Sequence, residues 1–217
     1  MAKGLIFDVD GTLLNTGPAM IKSYEHTCKM FDIEETDYTA ILPYASLNST
    51  RIFKDKHNIS NNLFDEIHNT FYTYFRLNDY KFSNLYPGIR ELLDNLYSQK
   101  TKMALATARH PGYIDDILNQ FDLHKYFIYI RLNEECAVNL DKSIFIKECA
   151  QKMGIAVADC LMTGDSVHDI RASKIAGSRS VWAKYGFGIE KEVLKYSPDH
   201  IAESSGLLWP IIYGELT

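Results

Sequence analysis

The sequence predicts an α/β fold, a mostly parallel sheet with helices on both faces, interrupted near its start by a helical insertion. Three observations carry this prediction. From residue 85 onward, short apolar runs of strand length alternate with amphipathic helical segments. One further run, Leu5-Ile6-Phe7, stands alone at the start and stops at two aspartates and a glycine, Asp8, Asp10 and Gly11. Between them, residues 16–84 repeat their apolar side chains at helical spacing and hold no convincing strand. The expected division is a core of residues 1–15 and 85–217 with a helical insertion over 16–84.

Size and charge narrow the classes. With 217 residues and 46% hydrophobic content the chain can bury a real core. A formal net charge of -5 leaves no basic footprint, which disfavours nucleic acid and anionic membrane surfaces as partners. The four cysteines, Cys28, Cys136, Cys149 and Cys160, are scattered without a CxxC pair and read as reduced thiols, mostly in the core. No apolar stretch approaches the ~18 residues of a membrane span, and Lys3 leads directly into the first strand without a signal-peptide pattern. The expectation is a soluble, cytoplasmic monomer or homodimer.

In chain order, Leu5 to Phe7 have the bulk of a buried strand, and Gly11 supplies the freedom for a sharp exit. An Asp-Gly pair also marks ordinary turns, so this stretch alone leaves both readings open. Behind Pro18, residues Met20, Tyr24, Thr27, Cys28 and Phe31 fall on one helical face. Leu63, Phe64, Ile67, Phe71, Tyr74 and Phe75 form the clearest helical stripe, and such an aromatic stripe is read as core rather than as a substrate-facing wall. Pro43 to Thr50 is the expected internal loop of the insertion. Tyr86-Pro87-Gly88 turns into an amphipathic helix, and strands follow at Lys102–Ala106, Phe127–Leu132, Cys160–Thr163 and Ser180–Ala183. Helices separate them: Tyr113–Phe121, one carrying Phe145, Ile146, Cys149, Ala150 and Met153, and one ending near Gly177. After Gly186 the pattern is weaker, with an edge strand at His200-Ile201 and a closing helix over Leu207–Tyr213.

Polar residues sit where several apolar runs stop: Asp8 and Asp10, Thr107, Lys142 slightly displaced, and Asp165 with Asp169. In parallel α/β sheets the carboxyl ends of the strands carry the ligand crevice. Two carboxylates on one strand and two on another suit a hard divalent cation, which would also let an anionic substrate approach.

The run Asp8-Val9-Asp10-Gly11-Thr12-Leu13-Leu14 resembles the first motif, DxDGT and an aliphatic pair, of the haloacid dehalogenase-like hydrolase superfamily. Ala104-Leu105-Ala106-Thr107 resembles its second motif and Gly164-Asp165-Ser166-Val167-His168-Asp169 its fourth, GDxxxD, all in the family's order. The resemblance covers essentially the whole core and little of the insertion. It implies a Rossmann-like doubly wound core with a helical cap, as in the phosphoglycolate-phosphatase and β-phosphoglucomutase branch. The implied activity is Mg2+-dependent phosphatase action on a small phosphorylated metabolite through an aspartyl phosphate. Asp8 would be the nucleophile and Asp10 the acid/base, its backbone carbonyl also binding metal. Asp165 would complete the metal ligands, with Asp169 as ligand or support. The Thr107 hydroxyl and the backbone N–H groups around Val9, Asp10 and Ala108 would hold the transferring phosphate.

The third motif departs from its common form, since Asn139-Leu140-Asp141-Lys142-Ser143 replaces Lys-Pro-x-Pro. Lys142 is the first choice for the motif lysine and Lys147, one turn on, the fallback. Asn15 stands where many relatives have aspartate and is read as capping the following turn. His168 is expected to face solvent or a local hydrogen bond, Arg109 is read as a substrate contact or a surface residue, and Arg51 is a candidate for the substrate's remote end. A phosphosugar mutase and a non-catalytic phosphometabolite-binding protein remain as alternatives. A dehalogenase is disfavoured by Asp10, because no oxygen leaving group there needs a proton.

Overall fold

The computed structural model describes residues 1–46, 48–109, 111–133 and 141–217. It divides into two compact units, one formed by Met1–Asn15 with Leu85–Thr217 and the other by Thr16–Asn84.

The first unit begins with β1 (Gly4–Phe7), every residue of which is buried. A strand enclosed on both faces must be apolar throughout, as Leu5, Ile6 and Phe7 are. The chain leaves this unit at β2 (Leu14–Asn15), and the second unit follows as α1 (Gly17–Met30), α2 (Arg51–Asp55) and α3 (Asn61–Phe82). It re-enters at β3 (Asn84–Leu85), where the Tyr86 N–H donates to the Leu13 carbonyl at 3.0 Å. Gly88, at φ 79°, then caps α4 (Ile89–Ser98), whose Ile89, Leu92, Leu93 and Leu96 are all buried. Alternation continues through β4 (Lys102–Ala106), α5 (Asp115–Gln120), β5 (Tyr129–Arg131), α6 (Lys142–Met153) and β6 (Cys160–Gly164). It finishes with α7 (Val167–Ala176), β7 (Arg179–Ala183), α8 (Glu190–Val193), β8 (His200–Ala202) and α9 (Leu208–Leu216).

Six strands form one parallel sheet in the order β5-β4-β1-β6-β7-β8. Leu5 lies opposite Met103 on one side and Leu161 on the other, so the first strand is central. Because side chains alternate across a strand, Ile6, Ala104, Ala106 and Met162 share one face. That face packs against Phe145, Ile146, Cys149, Ala150 and Met153 of α6 and Ala172 of α7. Burying each large apolar side chain there contributes about 1.5–3 kcal/mol relative to exposure. This is the α/β architecture the alternation predicts, with strand order reversing between β1 and β6.

The second unit has its own core, in which Met20, Tyr24 and Cys28 of α1 meet Ile52 and Phe53 of α2 and Ile67 and Phe71 of α3. Tyr24 and Phe53 pack edge to face with centroids 5.3 Å apart. Of the predicted stripe, Ile67 and Phe71 are buried in this core and Leu63 and Phe75 pack against it, whereas the half-buried Phe64 and Tyr74 lie outside it, Phe64 beneath Lys54 and Tyr74 stacked on His26. At one end of this unit the Glu35 carboxylate accepts from the Tyr24 hydroxyl at 2.7 Å, Lys56 Nζ at 2.5 Å and the Thr36 and Asp37 N–H groups at 2.9 Å. Burial alone would raise its pKa, but these donors outweigh burial and bring it down to about 2.

Several local expectations need correction. The third-motif helix starts at Lys142 rather than near Ile144, because the Asp141 carboxylate caps it by accepting the Ser143 N–H at 3.0 Å. The N-cap of α1 is Thr16, and Asn15 lies in β2. Part of the expected loop is a 3-10 helix, Tyr38–Tyr44, which tolerates Pro43 without a longer helical register to break. The strand expected over Phe127–Leu132 is shorter, Tyr129–Arg131, as befits a sheet edge. Cys28, Cys149 and Cys160 are buried free thiols, and Cys136, Asn139 and Leu140 lie outside the described residues. No helix among the described residues is long and apolar enough to cross a membrane.

Candidate active site

The site is built at the carboxyl ends of three neighbouring strands, β4, β1 and β6, and at the starts of α6 and α7. Beyond Phe7 the chain reaches Asp8, whose N–H still donates to Thr163 on β6 at 2.9 Å. It then folds back on itself, the Val9 carbonyl accepting from the Leu13 and Leu14 N–H groups at 3.0 and 2.9 Å. Gly11 permits this turn with φ 71°, and a Cβ there would lie 2.2 Å from Asp165 Oδ2.

Asp8, Asp165 and Asp169 converge so that one oxygen from each lies within 4.8 Å of the others. All three are buried, at 6%, 3% and 0% exposure. Lys142, 5% exposed, donates to Asp8 Oδ1 at 2.9 Å and Asp169 Oδ1 at 2.7 Å. The other Asp169 oxygen accepts from the Ser166 N–H at 3.0 Å and hydroxyl at 2.6 Å. Asp165 Oδ2 accepts the Phe187 N–H at 2.7 Å, and its backbone carbonyl accepts the Trp182 indole N–H at 2.8 Å.

Three buried carboxylates around one ammonium are electrostatically unbalanced. Burial pushes the Asp8 carboxyl up to about 7; Lys142 opposes this, and Asp169 and Asp10 add to it. Asp165 is raised well above the ordinary carboxylate range, chiefly by burial and then by Asp169 and Asp8. For Lys142, burial disfavours the charge, yet Asp169 and Asp8 hold the ammonium above its usual value. A divalent cation would relieve this imbalance, and all-oxygen donors suit a hard ion, so the residues fit one.

Asp10 faces differently. Its carboxylate receives a two-point contact from Arg109, Nε to Oδ2 at 2.9 Å and Nη2 to Oδ1 at 2.7 Å, and is not one of the three converging acids. Arg109 is therefore a buried residue at the site, which corrects the surface reading. Thr107 is buried, and its hydroxyl oxygen accepts the Arg109 N–H at 3.3 Å, which leaves the hydroxyl hydrogen to be donated. Ala108 is exposed between these two residues, and Val9 is buried in the turn.

His168 is exposed, as expected, while Lys147 is exposed on α6 and Arg51 pairs with Asp55 at 3.1 Å on an exposed face of the other unit. Sequence reasoning missed the loop after β7. Its Tyr185 hydroxyl donates to the Thr12 carbonyl at 2.8 Å, and a Cβ on Gly186 would lie 2.3 Å from the Gly11 carbonyl and 2.4 Å from Asp165 Cβ. The available signal was Tyr185-Gly186-Phe187-Gly188, two glycines around an aromatic directly after a buried strand.

Known proteins resemble the chain over nearly its whole length. The chain is 24% identical over 218 residues to a phosphoglycolate phosphatase of Vibrio parahaemolyticus, covering 97% of this chain and 96% of that protein. A haloacid dehalogenase-like hydrolase structure from Streptococcus pneumoniae superposes with a TM-score of 0.85 at 21% identity, over 97% of this chain and 98% of the other. A β-phosphoglucomutase structure from Clostridium difficile gives 0.72 at 20% identity, over 99% and 97%. At these identities both structures speak to the fold alone. The family model of the haloacid dehalogenase-like hydrolases matches residues 5–183, spanning every strand from β1 to β7 and all the acids of the site, and the chain belongs to that family.

Proposed function

We propose that the protein is a Mg2+-dependent phosphatase that hydrolyses a small phosphorylated metabolite through an aspartyl phosphate on Asp8. The observation that carries this reading is Asp8 itself, a buried carboxylate held by Lys142 at 2.9 Å, beside Asp165 and Asp169 and two residues from a second acid. Asp8, Asp165, Asp169 and the Asp10 carbonyl would hold the cation, which would supply charge neutralisation for an entering phosphate dianion.

Each residue then has one task. Lys142 fixes Asp8 with one oxygen aimed at phosphorus and neutralises charge as the group transfers. An Asp8 oxygen attacks, the ester P–O bond breaks, and Asp10 gives a proton to the departing alkoxide. Water then attacks phosphorus, Asp10 takes its proton, and the acyl phosphate bond breaks to release phosphate and restore Asp8. Thr107 and the N–H groups of Val9 and Ala108 steady the equatorial oxygens. Residues 1–15 and 85–217 are the catalytic body, and residues 16–84 a cap that excludes water and carries specificity.

The test is phosphate release with Mg2+ across sugar phosphates, nucleotides and phosphorylated acids, native protein beside Asp8→Asn. Turnover that Asp8→Asn reduces at least ~10³-fold is expected, since the nucleophile is lost. Undiminished turnover in the variant, or no release from any compound, would overturn the reading.

A further inference from the structure

We propose that Tyr86 sets which cation the site takes: its hydroxyl donates to a water that the ion keeps, and so favours Mg2+ over Ca2+. This rests on the phosphatase reading only in placing the ion among Asp8, Asp165 and Asp169.

Tyr86 stands where the chain re-enters the first unit. Its N–H donates to the Leu13 carbonyl at 3.0 Å, and the next carbonyl, that of Pro87, accepts the Ser205 hydroxyl at 2.7 Å, so the backbone is held on both sides. The ring meets Tyr185 edge to face, with centroids 4.7 Å apart and planes at 71°. Tyr185 is itself pinned, because its hydroxyl donates to the Thr12 carbonyl at 2.8 Å. Two residues on, the Phe187 N–H holds Asp165 Oδ2 at 2.7 Å. The half-buried Tyr86 phenol is therefore fixed against the turn that carries Asp10 and the loop that supports Asp165.

Burial raises the pKa of this phenol, and the charges of Asp165 and then Asp10 raise it further. It stays protonated, able to donate one hydrogen bond and unable to add a fifth anion to the site. The Tyr185 hydroxyl is spent on Thr12, whereas the Tyr86 hydroxyl has no hydrogen-bond partner among the described residues. Neither neighbouring carboxylate receives it. Both Asp10 oxygens accept from Arg109, and Asp165 Oδ2 accepts from Phe187. The acceptor that remains is water between them. Mg2+ sheds water reluctantly and keeps several molecules beside one or two carboxylates, whereas Ca2+ gathers about six to eight oxygens, more of them from protein. A donor to the retained water thus strengthens Mg2+ binding and adds little for Ca2+.

The experiment is calorimetry with MgCl2 and with CaCl2, without substrate, on native protein and Tyr86→Phe. Phenylalanine keeps the ring against Tyr185 and removes only the donor. Mg2+ affinity should fall about 10-fold, as loss of an outer partner of a metal site does, and Ca2+ affinity by less than about threefold. The urea midpoint in EDTA should equal the native one. Unchanged Mg2+ affinity overturns the proposal. Equal losses for the two ions also overturn it, since they mark a packing role, and a lowered midpoint in EDTA would say the same. Native protein that binds Mg2+ but releases phosphate from no ester fails the phosphatase reading, and the ratio of the two affinities still decides Tyr86. Native protein that binds no Mg2+ overturns the role of Tyr86 even if it hydrolyses esters with another ion.

Discussion

Replacing Lys142 by methionine keeps the length of the side chain and removes its charge, so it tests the balance at the centre of the site. In the native protein the ammonium lies 2.9 Å from Asp8 and 2.7 Å from Asp169, with all three groups buried. Removing one member of a buried ion pair strands its partners without solvent and costs about 3–5 kcal/mol. With a urea slope near ~2 kcal/mol/M, the midpoint should fall by about 1.5–2.5 M. Both tryptophans, Trp182 and Trp209, belong to the unit that holds the site. Their fluorescence in EDTA therefore follows that unit without a signal from residues 16–84, and without a bound ion to mask the loss. Lys147→Met is the control. Lys147 is exposed on the same helix, and its loss should move the midpoint by less than ~0.5 kcal/mol equivalent. A Lys142→Met midpoint equal to the native one, or an equal effect from Lys147→Met, would refute the assignment of Lys142 as the buried counter-charge.

Three further outcomes are expected. Glu35→Gln should destabilise the helical unit by up to ~3 kcal/mol at pH 7, from a pKa lowered from 4.5 to about 2. Because the folded value is depressed, that stabilisation is complete above about 4.5 and fades as pH falls toward about 2; hydrogen exchange of α1 and α2 should show the variant and native protein converging there. Gly186→Ala would press a Cβ against the Gly11 carbonyl and Asp165, and should weaken Mg2+ binding at least ~10-fold by calorimetry, as loss of ligand support does. Burial holds the thiols of Cys28 and Cys149 at about 12 and Cys160 at about 11, so at pH 8 none should react with a disulfide reagent until urea is added, as read by peptide mapping.

The sheet was legible because its central strands are buried on both faces and must be apolar from end to end. Leu5-Ile6-Phe7 and Cys160-Leu161-Met162 meet that demand, and each run stops where polar chemistry begins. The acids were legible because their spacing is local: Asp8 and Asp10 share a turn, and Asp165 and Asp169 share a helix start. Arg109 was not legible as the partner of Asp10, since that contact joins residues just beyond the ends of two strands far apart in sequence and depends on register rather than pattern. That Lys142 rather than Lys147 contacts Asp8 and Asp169 likewise awaited the helix start, which the Asp141 cap fixes. The loop after β7 went unread because its support of Asp165 comes from main-chain groups and from the absence of side chains at glycine.

The central position of β1 has a consequence for synthesis on the ribosome. This strand emerges well before its sheet neighbours, which begin at Lys102 and Cys160. At ~5–20 residues per second, the interval before β6 exists is on the order of 10 s. Meanwhile residues 16–84, which bury a core of their own, are translated in full. A strand as apolar as Leu5-Ile6-Phe7 therefore waits for β4 to cover one edge and longer still for β6 to cover the other. Asp8 gains its counter-charge only once Lys142 has been made, and the third acid of its cluster only with Asp169. Ribosome-bound fragments that stop short of that point carry Asp8 without its environment.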